Sequence, residues 1–242
     1  MIFSQEQTYA YIISFRSGNT MKLAALMSGG KDSCYALYEA LTAGHEVTHL
    51  VAIKPQNPDS YMYHSINIDI VRLISQACGI PLILKESQGR KEEELDDLSD
   101  ALQSIDIDGV IVGAIESVYQ ESRVRKICET LRIAMYAPLW HRNAGELLSE
   151  MAAVMDIRIV QVAAGGMGEE WLGVRIGEGA IRDLQELHRR YRIHLCGEGG
   201  EYETLVLDAP YFKERIELVV TERVWHGDRG VLKVLDARVV GK

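Results

Sequence analysis

The chain has 242 residues, a length that allows one large domain or two smaller ones. Hydrophobic residues make up 47% and charged residues 25%, the profile of a globular protein with enough apolar material for a core. The net charge of -9 disfavours nucleic acid as a partner, because such binding needs a basic surface that displaces counterions from phosphates. No apolar run approaches the roughly 18 residues of a membrane helix, so we expect no membrane association.

The four cysteines are widely separated and form neither a C-x-x-C pair nor a Cys/His spacing that suits zinc. Three of them fall in predicted helices, which favours buried, reduced thiols and a cytoplasmic protein. Residues 1–20 lack the basic start and continuous apolar stretch of a signal peptide. Because Met21 opens the first predicted strand, our hypothesis is that the native chain starts there, or that residues 1–20 are an added extension.

From Lys22 onward, short apolar runs alternate with helical periodicity. This β-α repetition predicts a Rossmann-like parallel sheet with helices on both faces. Right-handed crossovers would place every strand-to-helix loop at one edge of the sheet, where open α/β sheets bind ligands. The predicted strands are LAALM (23–27), VTHLVAI (47–53), PLILKE (81–86) and DGVIVGA (108–114). Four helices are predicted: one that carries Cys34 to Leu41, and three at 66–79, 91–104 and 117–131.

After APLW (137–140) this rhythm loosens. The pattern then predicts a helix at 144–155, an apolar run at 157–164, a glycine-rich stretch at 165–179, a helix at 181–191 and β-rich segments at 215–225 and 230–240. We therefore divide the chain into residues 1–20, a nucleotide-binding domain at 21–136 and a smaller α+β domain at 137–242.

The loop SGGKDS (28–33) lies between the first predicted strand and its helix. At such a turn, backbone N–H groups and the helix dipole favour a phosphate or pyrophosphate, and glycine lets the backbone approach the anion. The loop is not a Walker A motif, because Gly-Lys is followed by Asp rather than Ser or Thr. The alternative is an ordinary turn in which Asp32 and Ser33 cap the helix. The predicted phosphate ligands are Ser28, Gly29, Gly30, Lys31, Asp32 and Ser33, with Lys31 as a mobile positive charge.

SGGKDS resembles the PP-loop of the N-type ATP pyrophosphatases, which cleave ATP between the α- and β-phosphates. Three further stretches, at 113–133, 137–140 and CGEGGEYETLVLDAP (196–210), resemble the diphthine–ammonia ligase family, and the likeness covers the chain from Met21 onward. The resemblance implies the PP-loop (HUP-type) α/β fold and a C–N ligase. Its reaction would be ATP-dependent amidation of diphthine on translation elongation factor 2 by ammonium, through an acyl-adenylate, releasing AMP and pyrophosphate.

The resemblance also implies roles for particular side chains, with ATP and Mg²⁺ as cofactors. Lys31 and Asp32 would stabilise the developing charge, and Asp32 would help to hold the metal. Glu198, Glu201 and Glu203 lie within a span of six residues in a glycine-rich segment. They could bind ammonium, coordinate Mg²⁺ or act as a general base. The alternative is that they are solvated acids of an ordinary loop. Which glutamate has which role stays open. We predict Glu198 and Glu201 as catalytic and Tyr202, Glu203 and Thr204 as substrate-binding.

Other candidates surround this motif. Glu116, Gln120 and Arg123 recur at i, i+4 and i+7 on the helix after the fourth strand, a polar stripe that would offer Gln120 and Arg123 to substrate. An exposed polar face is the alternative, and Glu116 receives no role. Ala52 and Ile53 are predicted to line an adenine pocket by analogy with PP-loop enzymes. Gly113 and Ala114 lie at the ligand edge of the sheet and complete the predicted ATP site. His64 is a candidate contact to phosphate or substrate, and the alternative is that it is a structural histidine.

Two competing functions remain open. One is another PP-loop enzyme that acts on tRNA or on a different carboxylate, although thiolation would call for a reactive cysteine pair. The other is a module that binds ATP without turnover. The chain lacks the nucleophilic cysteine of a glutamine-dependent amidotransferase, so free ammonium is the expected nitrogen donor. The sequence is compatible with a homo-oligomer and leaves the oligomeric state open.

Overall fold

A computed structural model describes residues 20–55, 67–87 and 93–242. Its first half contains a five-stranded parallel sheet, in the order β3-β2-β1-β4-β5. The Rossmann-like α/β prediction is therefore confirmed. The strands are β1 (Lys22–Leu26), β2 (Glu46–Pro55), β3 (Leu82–Ser87), β4 (Gly109–Ile111) and β5 (Ala134–Tyr136).

Four helices accompany this sheet, and their ends follow the sequence signals. The second helix stops where Gly79 adopts a left-handed backbone (φ 75°), as its glycine predicts. The fourth begins at Ser117, whose side chain accepts a hydrogen bond from the backbone N–H of Gln120. The helices are α1 (Lys31–Thr42), α2 (Val71–Cys78, preceded by a 3₁₀ turn Ile68–Ile70), α3 (Glu93–Gln103) and α4 (Val118–Leu131).

A second, antiparallel sheet forms in the other half, in the order β7-β6-β9-β8. The change from one sheet to the other falls between Tyr136 and Asp156. The sequence analysis did not predict β5, which has only three residues. It also did not predict β7, which lies inside CGEGGEYETLVLDAP (196–210), called the glutamate motif below. The remaining elements are α5 (Ala144–Val154), β6 (Asp156–Val162), a 3₁₀ turn (Glu169–Trp171), α6 (Glu178–Tyr191), β7 (Tyr202–Asp208), β8 (Arg215–His226) and β9 (Arg229–Val240).

The two halves share their larger hydrophobic core. Leu37 of α1 and Ile74 of α2 are fully buried in the same cluster as Ile157 of β6 and Leu205 of β7. The smaller cluster covers the other face of the parallel sheet, where α3 and α4 pack. Because both α1 and α2 contact the two sheets, the cavity described below has a wall from each half.

Strand order places the expected ligand site. Successive crossovers run from β1 to β2 and β3 on one side, and the chain then returns to β4 on the other side. The switch point therefore lies between the carboxyl ends of β1 and β4, where SGGKDS begins. Across the described part of the chain, no helix combines the length and the apolar character needed to cross a bilayer. Residues 1–19 and His64 lie outside the described residues.

Candidate functional site

The SGGKDS loop makes a tight turn from β1 into α1. Gly29 has a φ of 86°, in the left-handed region that favours glycine, and Gly30 is the N-cap of α1. Gly30 occupies the N-cap position, so neither Asp32 nor Ser33 caps this helix as the alternative predicted. The Ser33 hydroxyl instead donates to the Gly30 carbonyl oxygen at 3.1 Å, and Asp32 pairs with Lys31. Because the N-cap is a glycine, the N-cap residue itself places no side chain over the start of the helix.

Strand β7 holds this loop from the other half of the chain. The Lys31 backbone N–H donates to Thr204 Oγ1 at 3.0 Å, and the Val206 backbone N–H donates to the Gly29 carbonyl oxygen at 2.9 Å. Both bonds join residues more than 170 positions apart in the sequence. Thr204 thus contacts the loop directly, and it is also one of the residues that line the cavity.

Lys31 is fixed, which differs from the mobile charge that the sequence predicted. It is 2% exposed, and its Nζ donates to Asp32 Oδ2 at 2.9 Å and to the Cys196 carbonyl oxygen. Burial alone would lower the pKa of Lys31, but the Asp32 carboxylate, together with Cys196 and Glu198, outweighs burial and the net pKa is raised. The side chain is therefore an ammonium that ties the loop to the glutamate motif, with Nζ 5.3 Å from the Tyr202 ring centroid.

Asp32 has one oxygen that is not used by these contacts. Its Oδ1 is buried and has no hydrogen-bond partner among the described residues, although it belongs to a cavity-lining side chain. A buried carboxylate oxygen without a partner suits a cation. No group of three or more His, Cys, Asp or Glu side chains that could hold a metal occurs in the described ranges. Mg²⁺ commonly binds one or two carboxylates together with substrate phosphates, so Asp32 fits such an ion.

Glu198 lies at the junction of the two halves and lines the cavity. Its Oε2 accepts hydrogen bonds from the backbone N–H groups of Glu116 (3.1 Å) and Ser117 (3.0 Å) at the start of α4. Burial raises the pKa of Glu198, the charge of Asp32 raises it further, and the bond from Glu116 lowers it in part. A carboxylate with a raised pKa in a cavity can act as a general acid or base.

Glu201 and Tyr202 make hydrogen bonds to the backbone that differ from the catalytic and substrate-binding roles predicted for them. Glu201 Oε1 accepts from the His194 backbone N–H at 2.6 Å and Oε2 from that of Gly199 at 2.9 Å, and Glu201 is absent from the cavity lining. Its carboxylate therefore shapes the loop that carries Glu198. Tyr202 lines the cavity, but it is 2% exposed and its hydroxyl donates to the Leu195 carbonyl oxygen. Glu203 lines the cavity, and its predicted contact with substrate stays a prediction.

A cavity of about 540 Å³ joins these groups, a volume typical of small-ligand sites. Its lining includes Ala52 and Ile53, the predicted adenine contacts, as well as Gly113 and Ala114. A Cβ at Gly113 would stand 2.7 Å from the Ser33 backbone nitrogen, so only glycine lets the end of β4 approach α1 this closely. The loop and polar residues in the lining are Ser28, Gly30, Lys31, Asp32, Ser33, Glu198, Glu203 and Thr204.

The polar stripe on α4 divides between the cavity and its surroundings. Gln120 lines the cavity, whereas Arg123 does not; its guanidinium carbon lies 3.9 Å from the Tyr119 ring centroid. Tyr119 itself lines the cavity, and so does Ser117. Sequence reasoning missed both, although Ser117 followed by Gln120 is a recognisable N-cap signal. It also missed His194, whose contacts are described below.

The cysteines behave as predicted. All four are buried and free. Burial raises the pKa of Cys196, the one nearest the cavity, to about 12, and its Sγ donates to the Ala144 carbonyl oxygen at 3.2 Å. A protonated thiol in this position is not a nucleophile.

A glycine-rich loop at the switch point of a five-stranded parallel sheet, beside a cavity lined by polar and apolar residues, places the chain among the Rossmann-like α/β proteins. Comparisons identify the particular family. The diphthamide synthase N-terminal domain matches residues 21–135, and the diphthamide synthase C-terminal domain matches residues 143–240. The chain belongs to the diphthamide synthase family.

Curated relatives carry the name diphthine–ammonia ligase. The chain is 37% identical over 245 residues to the protein of Rattus norvegicus, which covers 91% of each chain. It is 37% identical to that of Danio rerio (86% of this chain and 90% of that one) and 36% identical to that of Homo sapiens (85% and 86%). A predicted tRNA methyltransferase subunit from Methanocaldococcus jannaschii, at 15% identity, covers 78% of this chain and 98% of that one with a TM-score of 0.42, too low to carry an argument.

Proposed function

We propose that this chain is an ATP-dependent ligase that amidates diphthine with ammonia and releases AMP and pyrophosphate. The observation that carries the proposal is a single cavity whose lining contains both Asp32, from the phosphate loop, and Glu198, from the glutamate motif. A ligase of this kind needs a nucleotide site and an ammonia site around one acyl group. Membership of the diphthamide synthase family supports this assignment.

ATP binding is the role we assign to the loop 28–33 and the apolar residues that line the cavity. The start of α1 and the loop backbone suit the β- and γ-phosphates, which leave together as pyrophosphate. Ala52, Ile53, Gly113 and Ala114 supply apolar surface and close backbone for the adenine ring. Asp32 would hold Mg²⁺ through Oδ1, and the ion would neutralise phosphate charge.

Adenylation is the first chemical step. A carboxylate oxygen of diphthine attacks the α-phosphorus, a new O–P bond forms, and the bond from the α-phosphorus to the bridging oxygen breaks as pyrophosphate departs. Lys31, held as an ammonium in the cavity wall, stabilises the negative charge that develops. Positioning by the loop accounts for much of the remaining rate.

Amide formation is the second step. Ammonia attacks the acyl carbon, a C–N bond forms, and AMP leaves with the electrons of the C–O bond. Starting from ammonium, this step releases two protons. Glu198, whose pKa is raised, accepts one of them, and the other passes to solvent. Gln120, Glu203 and Thr204 line the same cavity and contact the substrate.

The protein acceptor that we propose is diphthine-bearing translation elongation factor 2, in the cytoplasm where translation takes place. Arg123 packs against the ring of Tyr119, which lines the cavity, so its proposed effect on substrate binding is to hold that ring in place. Glu201 acts through the loop that presents Glu198.

The test is to incubate the protein with ATP, Mg²⁺, ammonium and diphthine-bearing elongation factor 2, and to measure AMP, pyrophosphate and the mass of the modified histidine. We expect AMP and pyrophosphate in equal amounts with amide formation. ADP in place of AMP would contradict α–β cleavage. AMP formed only with tRNA would support a tRNA-modifying enzyme, and no turnover with any acceptor would support a module that only binds ATP.

A further inference from the structure

His194 stands at the start of the loop that carries Glu198, and its ring is mostly buried, with 22% of the side chain exposed. Its Nδ1 lies within hydrogen-bond distance of two backbone donors, the N–H groups of Cys196 (3.2 Å) and Glu198 (3.4 Å). A ring nitrogen that accepts hydrogen bonds carries no proton, so these contacts assign the neutral ring's proton to Nε2. The side chain therefore fixes the backbone on either side of Gly197.

The other ring nitrogen faces α4. His194 Nε2 lies 3.6 Å from Glu116 Oε2, farther than a hydrogen bond, so the ring faces this carboxylate without bonding to it. The backbone N–H of Glu116 in turn donates to Glu198 Oε2, as does that of Ser117. The Glu198 carboxylate therefore joins the loop to the start of α4, and the His194 ring lies beside that junction.

We propose that His194 is a positioning residue which, together with Glu116, fixes the Glu198 carboxylate at the start of α4 for the amidation step. The inference rests on the proposed function, because that step gives Glu198 its role. Thr204 and Val206 hold the phosphate loop from β7, and its link to the residues that His194 fixes is the bond from Lys31 Nζ to the Cys196 carbonyl oxygen. Loss of His194 should therefore impair the reaction of ammonia more than the formation of the adenylate.

The variants are His194→Ala, which removes both ring nitrogens, and His194→Asn, which keeps an acceptor near the Nδ1 position. Glu116→Gln keeps an oxygen opposite Nε2 but removes its charge. His226→Ala, at an exposed histidine of the β8–β9 hairpin, is the matched control. Thermal unfolding identifies any variant that fails to fold, and His194→Asn then takes the place of His194→Ala.

Two half-reactions are measured on each variant. ATP–pyrophosphate exchange with the diphthine-bearing acceptor, without ammonium, reports adenylation; amide formation against ammonium concentration reports the second step. We expect His194→Ala to lower kcat/KM for ammonium about tenfold or more, with exchange nearly unchanged, and His194→Asn to recover part of the loss. An equal loss in both half-reactions, or no loss in either, would overturn the proposal.

Hydrogen exchange gives a readout that does not need activity. The Glu116 and Ser117 amides bond to Glu198, so they should exchange faster in His194→Ala, as they should in Glu198→Ala. Wild-type protection at these amides in His194→Ala would overturn the positioning role. If the wild-type protein forms no amide product, the proposed function fails. The hydrogen-exchange measurement still decides whether His194 positions Glu198.

Discussion

The two loops that meet at the cavity are held in different ways. The phosphate loop 28–33 is joined to the distant strand β7 through its own backbone, by the Lys31 N–H and the Gly29 carbonyl oxygen. The glutamate loop 194–201 is shaped by the His194 ring and the Glu201 carboxylate, and it is joined to α4 through the Glu198 carboxylate. A loop joined through its backbone depends on how the two sheets pack, whereas a loop joined through ionisable side chains depends on those few groups. The two loops should therefore respond differently to substitution.

The largest expected effect comes from Asp32→Asn in the phosphate loop. The substitution keeps the shape but removes the charge that pairs with Lys31 and the oxygen we assign to a cation. We expect ATP–pyrophosphate exchange to fall by about 10²–10³-fold. The exposed Asp96→Asn on α3 is the matched control. Near-normal exchange in a folded Asp32→Asn would remove Asp32 from the ATP step.

Gly113→Ala tests the close approach of β4 to α1. The new Cβ would lie 2.7 Å from the Ser33 backbone nitrogen, and backbone cannot rotate away as a long side chain can. We expect unfolding by urea to show a loss of about 1–3 kcal/mol, with weaker ATP binding because the start of α1 is displaced. Gly179→Ala in α6, where a Cβ meets nothing within 4 Å, is the control. Unchanged ATP affinity in Gly113→Ala would contradict this view of the loop.

Thr204→Val breaks the external hold on the phosphate loop. Valine has nearly the same shape as threonine but cannot accept the Lys31 N–H bond, so that donor loses its partner. We expect a loss of about 1–3 kcal/mol in unfolding free energy and a raised KM for ATP. Thr204→Ser, which keeps the hydroxyl, should lose much less. If serine and valine behave alike, the bond does not hold the loop.

The smallest expected effect is a pH dependence at Glu198. Burial, and then the Asp32 charge, raises the pKa of this carboxyl in the folded protein. The folded state therefore holds the proton more tightly than the unfolded chain, and wild type loses stability as the pH rises from the unfolded-state pKa through the folded-state pKa. Glutamine does not ionise, so the unfolding free energy of Glu198→Gln relative to wild type should increase across that window. Denaturation curves over a pH series measure the difference, and a difference independent of pH would contradict the raised pKa.

The parallel sheet was largely predictable because its signals are local. Apolar runs and helical periodicity identified β1 to β4 and α1 to α4, and Gly79 marked a helix end correctly. Strand β5 has three residues, too few for a period to emerge. Strand β7 lies within CGEGGEYETLVLDAP, where glycines and acids obscure the strand pattern, and it forms through pairing with β6.

The composition of the site was predictable, but the orientation of its side chains was not. The strings SGGKDS and CGEGGEYET identified the two loops that line the cavity. They could not show that Lys31 is buried against the Cys196 carbonyl oxygen, 165 positions away, or that Glu201 turns inward to backbone N–H groups. His194 went unnoticed because a single histidine has no periodicity, and its importance depends on the approach of α4.

The bonds from β7 to the phosphate loop also bear on how the protein can be divided. A fragment ending near residue 136 would keep every residue of SGGKDS, yet it would lack the partners of the Lys31 N–H and the Gly29 carbonyl oxygen. It would also expose the face of α1 that packs on β7 and the face of α2 that packs on β8 and β9. The half of the chain that contains SGGKDS is thus completed by contacts from the half that follows it.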